Sequence, residues 1–231
     1  MPLILLLETA TKVCSVGLSH NGEMIAMRED KTPDYSHSSL LTVFADDVMK
    51  ASSIAFNQLD AVAVSMGPGS YTGLRIGVSA AKGFCFALNI PLIAINSLES
   101  LAYVAAARTE KNYDLLVPLL DARRMEVYSA VFDQKLKNCE PTSAMIIDKN
   151  SYLDKLPKNK VLFFGDGAAK CREVINHPHA LFDETIHSSA SGLLKPSLLK
   201  FENRDFEDTA YFQPFYLKDF IAGKPKIKGL H

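Results

Sequence analysis

The chain has 231 residues, 48% of them hydrophobic and 22% charged, with a formal net charge of −1. That length and composition fit one large or two small globular domains with a real core, and exclude a disordered polymer. Near-neutral charge excludes a global basic field for nucleic acid, leaving only local patches at Arg123-Arg124 and Lys224–Lys228. The four cysteines, Cys14, Cys85, Cys139 and Cys171, are scattered and form no CxxC pair. They signal neither zinc nor a redox couple, and read as reduced thiols of a cytoplasmic protein. The N-terminus lacks the basic and small-residue features of a signal peptide. No apolar run approaches the roughly 20 residues of a membrane helix.

Strands are expected at Leu3–Leu7, Val13–Leu18 and Glu23–Glu29, with Asn21-Gly22 as a hairpin turn between the second and third. A helix is expected from Ser36, its N-cap, to Ser52, because Leu40, Leu41, Phe44, Val48 and Met49 recur at helical spacing. The run Ala61–Ser65 predicts a buried strand. A glycine-rich turn, Gly67 to Gly73, follows it, and a helix then runs to Leu88, stopped by Asn89 and Pro91. Leu92–Ile95 is a short strand and Ser97 opens a helix to about Ala107.

The pattern then restarts. Strands are expected at Leu115–Leu120, Glu126–Phe132 and around Ala144–Ile147, with a short helix at Ser151–Leu156. A strand at Val161–Phe164 ends in Gly165-Asp166-Gly167, followed by a helix through Ile175 and another over Ala190–Phe201. The order βββαβα thus occurs twice, a structural-repeat hypothesis for an α/β fold with a reduced second lobe. The polar segment Thr109–Asp114 divides an N-terminal lobe, 1–108, from a smaller C-terminal lobe, 109–231. The tail from about residue 222 is too polar and glycine-rich to pack. Glu8 and Asp121 both end a first strand, so a cleft between the lobes is expected to carry both acids and both glycine turns.

The first glycine turn admits two readings. Backbone amides at Gly67, Gly69, Ser70 and Thr72, with Arg75, suit an anion or nucleotide phosphate. The Gly-Lys-Ser/Thr ending of a P-loop is missing. The alternative is a structural turn at the root of a docking surface. The following helix is apolar on more than one face, so a partner is expected on the face that its own sheet does not cover. The candidate interface comprises Leu40, Leu41, Phe44, Gly73, Leu74, Ile76, Gly77, Ala80, Ala81 and Phe84. A bulky charge at Gly77 or Ala80 is expected to break pairing while the monomer stays folded. Arg123, Arg124 and Lys218 are candidate contacts for a protein partner or for nucleic-acid phosphates.

Six stretches carry a resemblance: ETATKVCSVGL at 8–18, SHSSLL at 36–41, GPGSYTGLRIGVSAAKG at 67–83, DARRMEVYSAVF at 121–132, GDGA at 165–168 and QPFYLKDF at 213–220. In order and over nearly the whole chain, they resemble the TsaB (YeaZ) family of the actin/Hsp70/sugar-kinase (ASKHA, ribonuclease H-like) superfamily. The resemblance implies duplicated βββαβα lobes and a part in forming N6-threonylcarbamoyladenosine at adenosine 37 of tRNAs that read ANN codons. It implies a scaffold that pairs with its paralogue TsaD, joined by the ATPase TsaE, through the helices near 36–52 and 73–88. An isolated chain would homodimerise through the same face. Contact with tRNA would come through the complex, and no membrane is involved.

The resemblance also places the His-x-x-x-His metal pair of TsaD-like relatives at Ser97 and Leu101. Neither residue type ligates a metal well, so metal catalysis reads as lost. Metallopeptidase activity of the glycoprotease (M22) type is disfavoured for that reason. A small-molecule kinase using Glu8 or Asp121 is the other alternative. No intrinsic cofactor is expected, and ATP or ADP only in the company of partners.

Overall fold

In the computed structural model the chain is described over residues 2–32, 37–110 and 112–218. The cap expected at Ser36 and the tail expected from about residue 222 lie outside these residues.

β1 (Leu3–Glu8) is apolar at every position but the last and buried throughout, as expected of a strand covered on both faces. Its odd residues Leu3, Leu5 and Leu7 face one core, and Ile4 and Leu6 face another. β2 (Cys14–His20) and β3 (Glu23–Asp30) pair antiparallel beside it. The Asn21-Gly22 turn between them has both φ angles positive, 57° and 78°, as a tight hairpin requires. β4 (Ala61–Gly67) and β5 (Leu92–Asn96) extend the other side in parallel, giving the order β3-β2-β1-β4-β5.

The second sheet is built from β6 (Leu115–Asp121), β7 (Glu126–Asp133), β8 (Asn138–Ile146), β9 (Val161–Phe164) and β10 (Ala180–Asp183). Its order is β10-β9-β6-β7-β8. Setting β6 on β1 reproduces the first sheet strand for strand, with the same parallel and antiparallel pairings. The duplicated α/β, ribonuclease H-like arrangement is therefore present.

The second lobe keeps the sheet and shortens the helices. The first lobe carries α1 (His37–Ala51) and α2 (Tyr71–Leu88). The equivalent of α1 is replaced by turns over 149–158, so the helix expected at Ser151–Leu156 does not form. The equivalent of α2 is α4 (Ala168–Arg172), which stops short of Ile175. β10 escaped the sequence reading because four residues after a His-Pro-His turn give too little alternation to register. The expected helix over Ala190–Phe201 is a 3-10 turn, Ala190–Leu193, running into α5 (Leu194–Glu202).

Two segments lock the sheets together. α3 (Ser97–Arg108) is capped by the Asn96 side chain, which accepts from the amides of Leu98 and Glu99. It follows β5, yet Leu98, Leu101 and Ala105 pack with Leu116, Phe132 and Phe164 of the second sheet. In return, Ala190 and Leu193 pack on Ile4, Leu6 and Ile93 of the first. Each fully buried leucine in these layers contributes about 1.5–3 kcal/mol.

Candidate functional site

α1 and α2 lie on one face of the first sheet. Leu41, Ala45, Val48 and Met49 of α1 and Val78, Ala81 and Cys85 of α2 share a core with Leu5, Leu7 and Val64. Of the proposed interface, Leu41, Leu74, Gly73, Gly77 and Ala81 are buried inside the chain. Gly73 and Gly77 face inward: a Cβ at 73 would lie 2.2 Å from the Thr9 carbonyl oxygen, and one at 77 would lie 2.2 Å from Thr9 Oγ1. A bulky charge at Gly77 would therefore disturb the monomer, correcting the expectation that it acts on pairing alone. A helical stripe of small residues cannot reveal which side meets its own sheet.

Leu40, Phe44, Ile76, Ala80 and Phe84 are half-buried, and Phe84 is stacked on Phe56 with ring centroids 5.5 Å apart. Val43, exposed by 50%, follows Leu40 by one helical turn and belongs with this outer strip. Phe86, exposed by 86%, lies on the other flank of α2, beside Lys82 and residues Asp208, Thr209 and Ala210. The sequence reading left out Val43, although helical spacing from Leu40 would have found it.

The glycine turn is shorter than expected. α2 begins at Tyr71, and Ser70 is its N-cap, accepting from the Gly73 amide. The remaining turn is spent largely on packing. The Gly67 amide donates to Ser97 Oγ at 3.1 Å, and the Ser70 amide donates to the Ala10 carbonyl at 2.7 Å. A Cβ at Gly69 would stand 2.3 Å from that same Ala10 oxygen. Thr72 and Arg75 are exposed, and the Arg75 guanidinium lies over the Tyr71 ring, 5.1 Å from its centroid. The Tyr71 ring packs on Tyr216 at 5.0 Å.

The two acids and two glycine turns do not line one cleft. Glu8 is sealed inside the protein. Its Oε1 accepts from the Ala10 amide and Ser65 Oγ, both at 2.8 Å, and Oε2 accepts from Ser100 Oγ at 3.5 Å. Burial pushes its carboxyl up to about 7 against those hydrogen bonds. A carboxyl so enclosed joins β1, β4 and α3.

Asp121 is exposed and engaged. Its carboxylate accepts from the Lys170 ammonium and from the Arg123 amide at 2.9 Å. Lys170 also donates to the Arg124 and Glu126 carbonyls, at 2.8 and 2.7 Å, pinning the turn that carries Arg123 and Arg124. Both arginines hold left-handed φ angles, 69° and 52°. Lys218 reaches across to pair with Glu126. Arg123 and Arg124, in the β6–β7 turn, and Lys218, held by Glu126, thus lie exposed at one end of the second sheet.

Of the expected cleft residues, Asp166 lines a cavity between the lobes, with Thr11, Lys12 and His187 among its neighbours. Desolvation in the cleft raises its carboxyl pKa. The residue is open to water, which damps that effect.

The residues at the metal-pair positions do not fit a metal. The Ser97 hydroxyl accepts the Gly67 amide, and Leu101 is buried in the core of the second sheet. Among the described residues, no three His, Cys, Asp or Glu side chains converge as ligands. Among the same residues, no helix is long and apolar enough to cross a membrane.

A family model described as "TsaD: tRNA N6-adenosine threonylcarbamoyltransferase" matches residues 33–220. The chain is 34% identical over 136 residues to the "tRNA threonylcarbamoyladenosine biosynthesis protein TsaB" of Haemophilus influenzae, covering 58% of this chain and 56% of that protein. To the Escherichia coli protein of the same name it is 30% identical over 131 residues, covering 57% and 55%. The matched segments thus span little more than half the length of these relatives. The solved structure "YeaZ from Pseudomonas aeruginosa" superposes with a TM-score of 0.79 at 25% identity, covering 94% of this chain and all of that one. A second Pseudomonas aeruginosa structure, described as an uncharacterized protein with similarity to peptidase YEAZ, gives 0.82 at 24% identity over the same shares. The chain belongs to the tRNA N6-adenosine threonylcarbamoyltransferase family, in its TsaB/YeaZ branch.

Proposed function

We propose that this chain serves tRNA threonylcarbamoyladenosine biosynthesis as a scaffold that pairs with TsaD, with TsaE joining the pair. The observation that carries this reading is the outer strip of α1 and α2, where Val43 stands exposed beside half-buried Leu40, Phe44, Ile76, Ala80 and Phe84. Such a face on a helix pair fits a partner of the same build. Ala80, small and half-buried, lets a second helix approach closely. The same face would support a homodimer of the isolated chain.

A non-catalytic role is supported by the chemistry of the old polar positions. Glu8 is enclosed, Asp121 is tied to Lys170, and the metal-pair positions hold a spent serine and a core leucine. Nucleotide and tRNA would then act through the assembled complex, with Arg123 and Arg124, and Lys218 beside them, at the exposed end of the second sheet for such contacts.

Co-purification tests the pairing. The wild-type chain is expected to retain a tagged TsaD through gel filtration, and Ala80→Arg to lose it while keeping its own thermal midpoint. Retention of TsaD by the folded variant would overturn the assignment of this face.

A further inference from the structure

The flank of α2 that carries Phe86 borders an open groove of about 510 Å³, with Lys82, Gly83 and Phe86 on one wall and Asp208, Thr209 and Ala210 on the other. The second wall is a turn in the segment after α5, and it is fixed at both ends. The Glu207 amide donates to the Leu92 carbonyl of β5 at 2.9 Å. The Phe212 amide donates to the Asp208 carbonyl at 2.8 Å, and the Phe212 side chain packs on the core that α1 and α2 share with the first sheet. Asp208 Oδ1 accepts from the Ala210 and Tyr211 amides, at 2.8 and 3.2 Å. The Lys82 ammonium donates to the Ala210 and Phe212 carbonyls, at 3.0 and 3.1 Å, and ties the turn to the helix. A groove whose walls are already ordered spares an occupant much of the ordering cost of binding.

The chemistry of the walls selects the occupant. Phe86 and Tyr211 are the two most exposed large apolar side chains among the described residues, and Tyr211 directly follows the groove residue Ala210. A Cβ at Gly83 would meet nothing within 4 Å, so the space beside Phe86 is open. From Gly83 to Leu88 the helix has no charged residue, and its last turn has no basic one, which leaves the negative end of the helix dipole uncompensated. The segment Asp205–Asp208 carries three acids, of which Asp205 is paired with Lys200 at 3.0 Å. Asp208 spends Oδ1 on its turn and keeps Oδ2 for a ligand. Lys82 is the cation of the lining, and its ammonium is engaged by the two carbonyls. Exposed aromatic rings beside a carboxylate suit a guanidinium or ammonium carried on its methylene stem, and repel a phosphate chain.

We propose that this groove docks a basic segment of a partner protein, with a lysine or arginine stem laid on Phe86 and its charge at Asp208. The groove is on the other flank of α2 from the strip of Val43, Ile76 and Ala80, so the proposal does not rest on the scaffold reading.

The test uses the full chain labelled with ¹⁵N and two synthetic peptides, Gly-Arg-Leu-Arg-Gly and Gly-Glu-Leu-Glu-Gly. The arginine peptide is expected to shift the amide signals of residues 82–88 and 207–212 saturably, and the glutamate peptide to leave them in place. Phe86→Ala and Asp208→Asn are each expected to weaken the arginine peptide about threefold. Neither should lower the thermal midpoint, because the Phe86 ring stands in water and an asparagine Oδ1 still caps the turn. Absence of a saturable shift would overturn the proposal. So would equal shifts by both peptides, shifts confined to other residues, or wild-type binding by both variants. Shifts over the same residues on concentrating the chain alone would assign the groove to a second copy and overturn it as well.

Discussion

The Thr9 carbonyl oxygen fills the place of a Cβ at Gly73: the two positions are 2.2 Å apart, with the β1–β2 loop on one side and the first turns of α2 on the other. Gly83, ten residues on along the same helix, has nothing within 4 Å of a Cβ. The two glycines therefore answer the same substitution in opposite ways. Gly73→Ala forces backbone from backbone and is expected to destabilise by about 1–3 kcal/mol. Gly83→Ala is expected to stabilise by about 0.5–1 kcal/mol through helix propensity. Urea unfolding of both variants checks this, and equal midpoints would contradict the packing described.

That contrast marks the limit of what the sequence could tell. The strand order was legible because β1 is an unbroken apolar run, β3 alternates, and Asn21-Gly22 can only be a tight turn. The existence of a packed helix after Gly67 was legible too. Which side of it faces in was not, since Gly73, Gly77, Ala80 and Gly83 are all small and carry no polarity signal. The start of α2 was read late because the glycines hid the Ser70 cap.

Glu8 predicts a pH dependence. Its folded pKa, about 7, lies above the ordinary carboxyl value of 4.5. Between those values the folded state holds a proton that the unfolded state has released. The stabilisation is thus fully present below about pH 4.5 and is lost as pH rises to about 7, by roughly 3 kcal/mol in all. Glu8→Gln keeps an acceptor for Ala10 and Ser65 and cannot ionise. The stability of the wild type relative to Glu8→Gln should therefore fall across that window and level off above it. Denaturant midpoints of the two proteins from pH 4.5 to 8 measure the difference, and a flat difference would refute the assignment.

Lys170 holds the turn that presents Arg123 and Arg124. Its ammonium binds the Asp121 carboxylate and two main-chain carbonyls, with the arginines in left-handed conformations that need such support. Lys170→Met is expected to cost about 1 kcal/mol, the loss of its ion pair with Asp121 and of its hydrogen bonds on this exposed turn. Trypsin should then cut after Arg123 or Arg124 faster than in the wild type. An unchanged cleavage rate would mean that the turn holds without its lysine.

The outer strip of α1 and α2 makes the last prediction, on the isolated chain. Val43 stands well out in water beside half-buried Leu40 and Phe44, and apolar side chains in such positions favour self-association when no other partner is present. It does not belong to the buried core, so replacing it by Asp should change monomer stability by no more than about 0.5 kcal/mol. Placed across a two-fold axis, the same substitution appears twice and brings like charges together, so its effect on a dimer should far exceed its effect on the fold. Sedimentation velocity at rising concentration should show the wild type moving from monomer to dimer and Val43→Asp staying monomeric. If the variant dimerises as well as the wild type, self-association uses another surface, and the case for this strip as the docking face loses its support from the isolated chain.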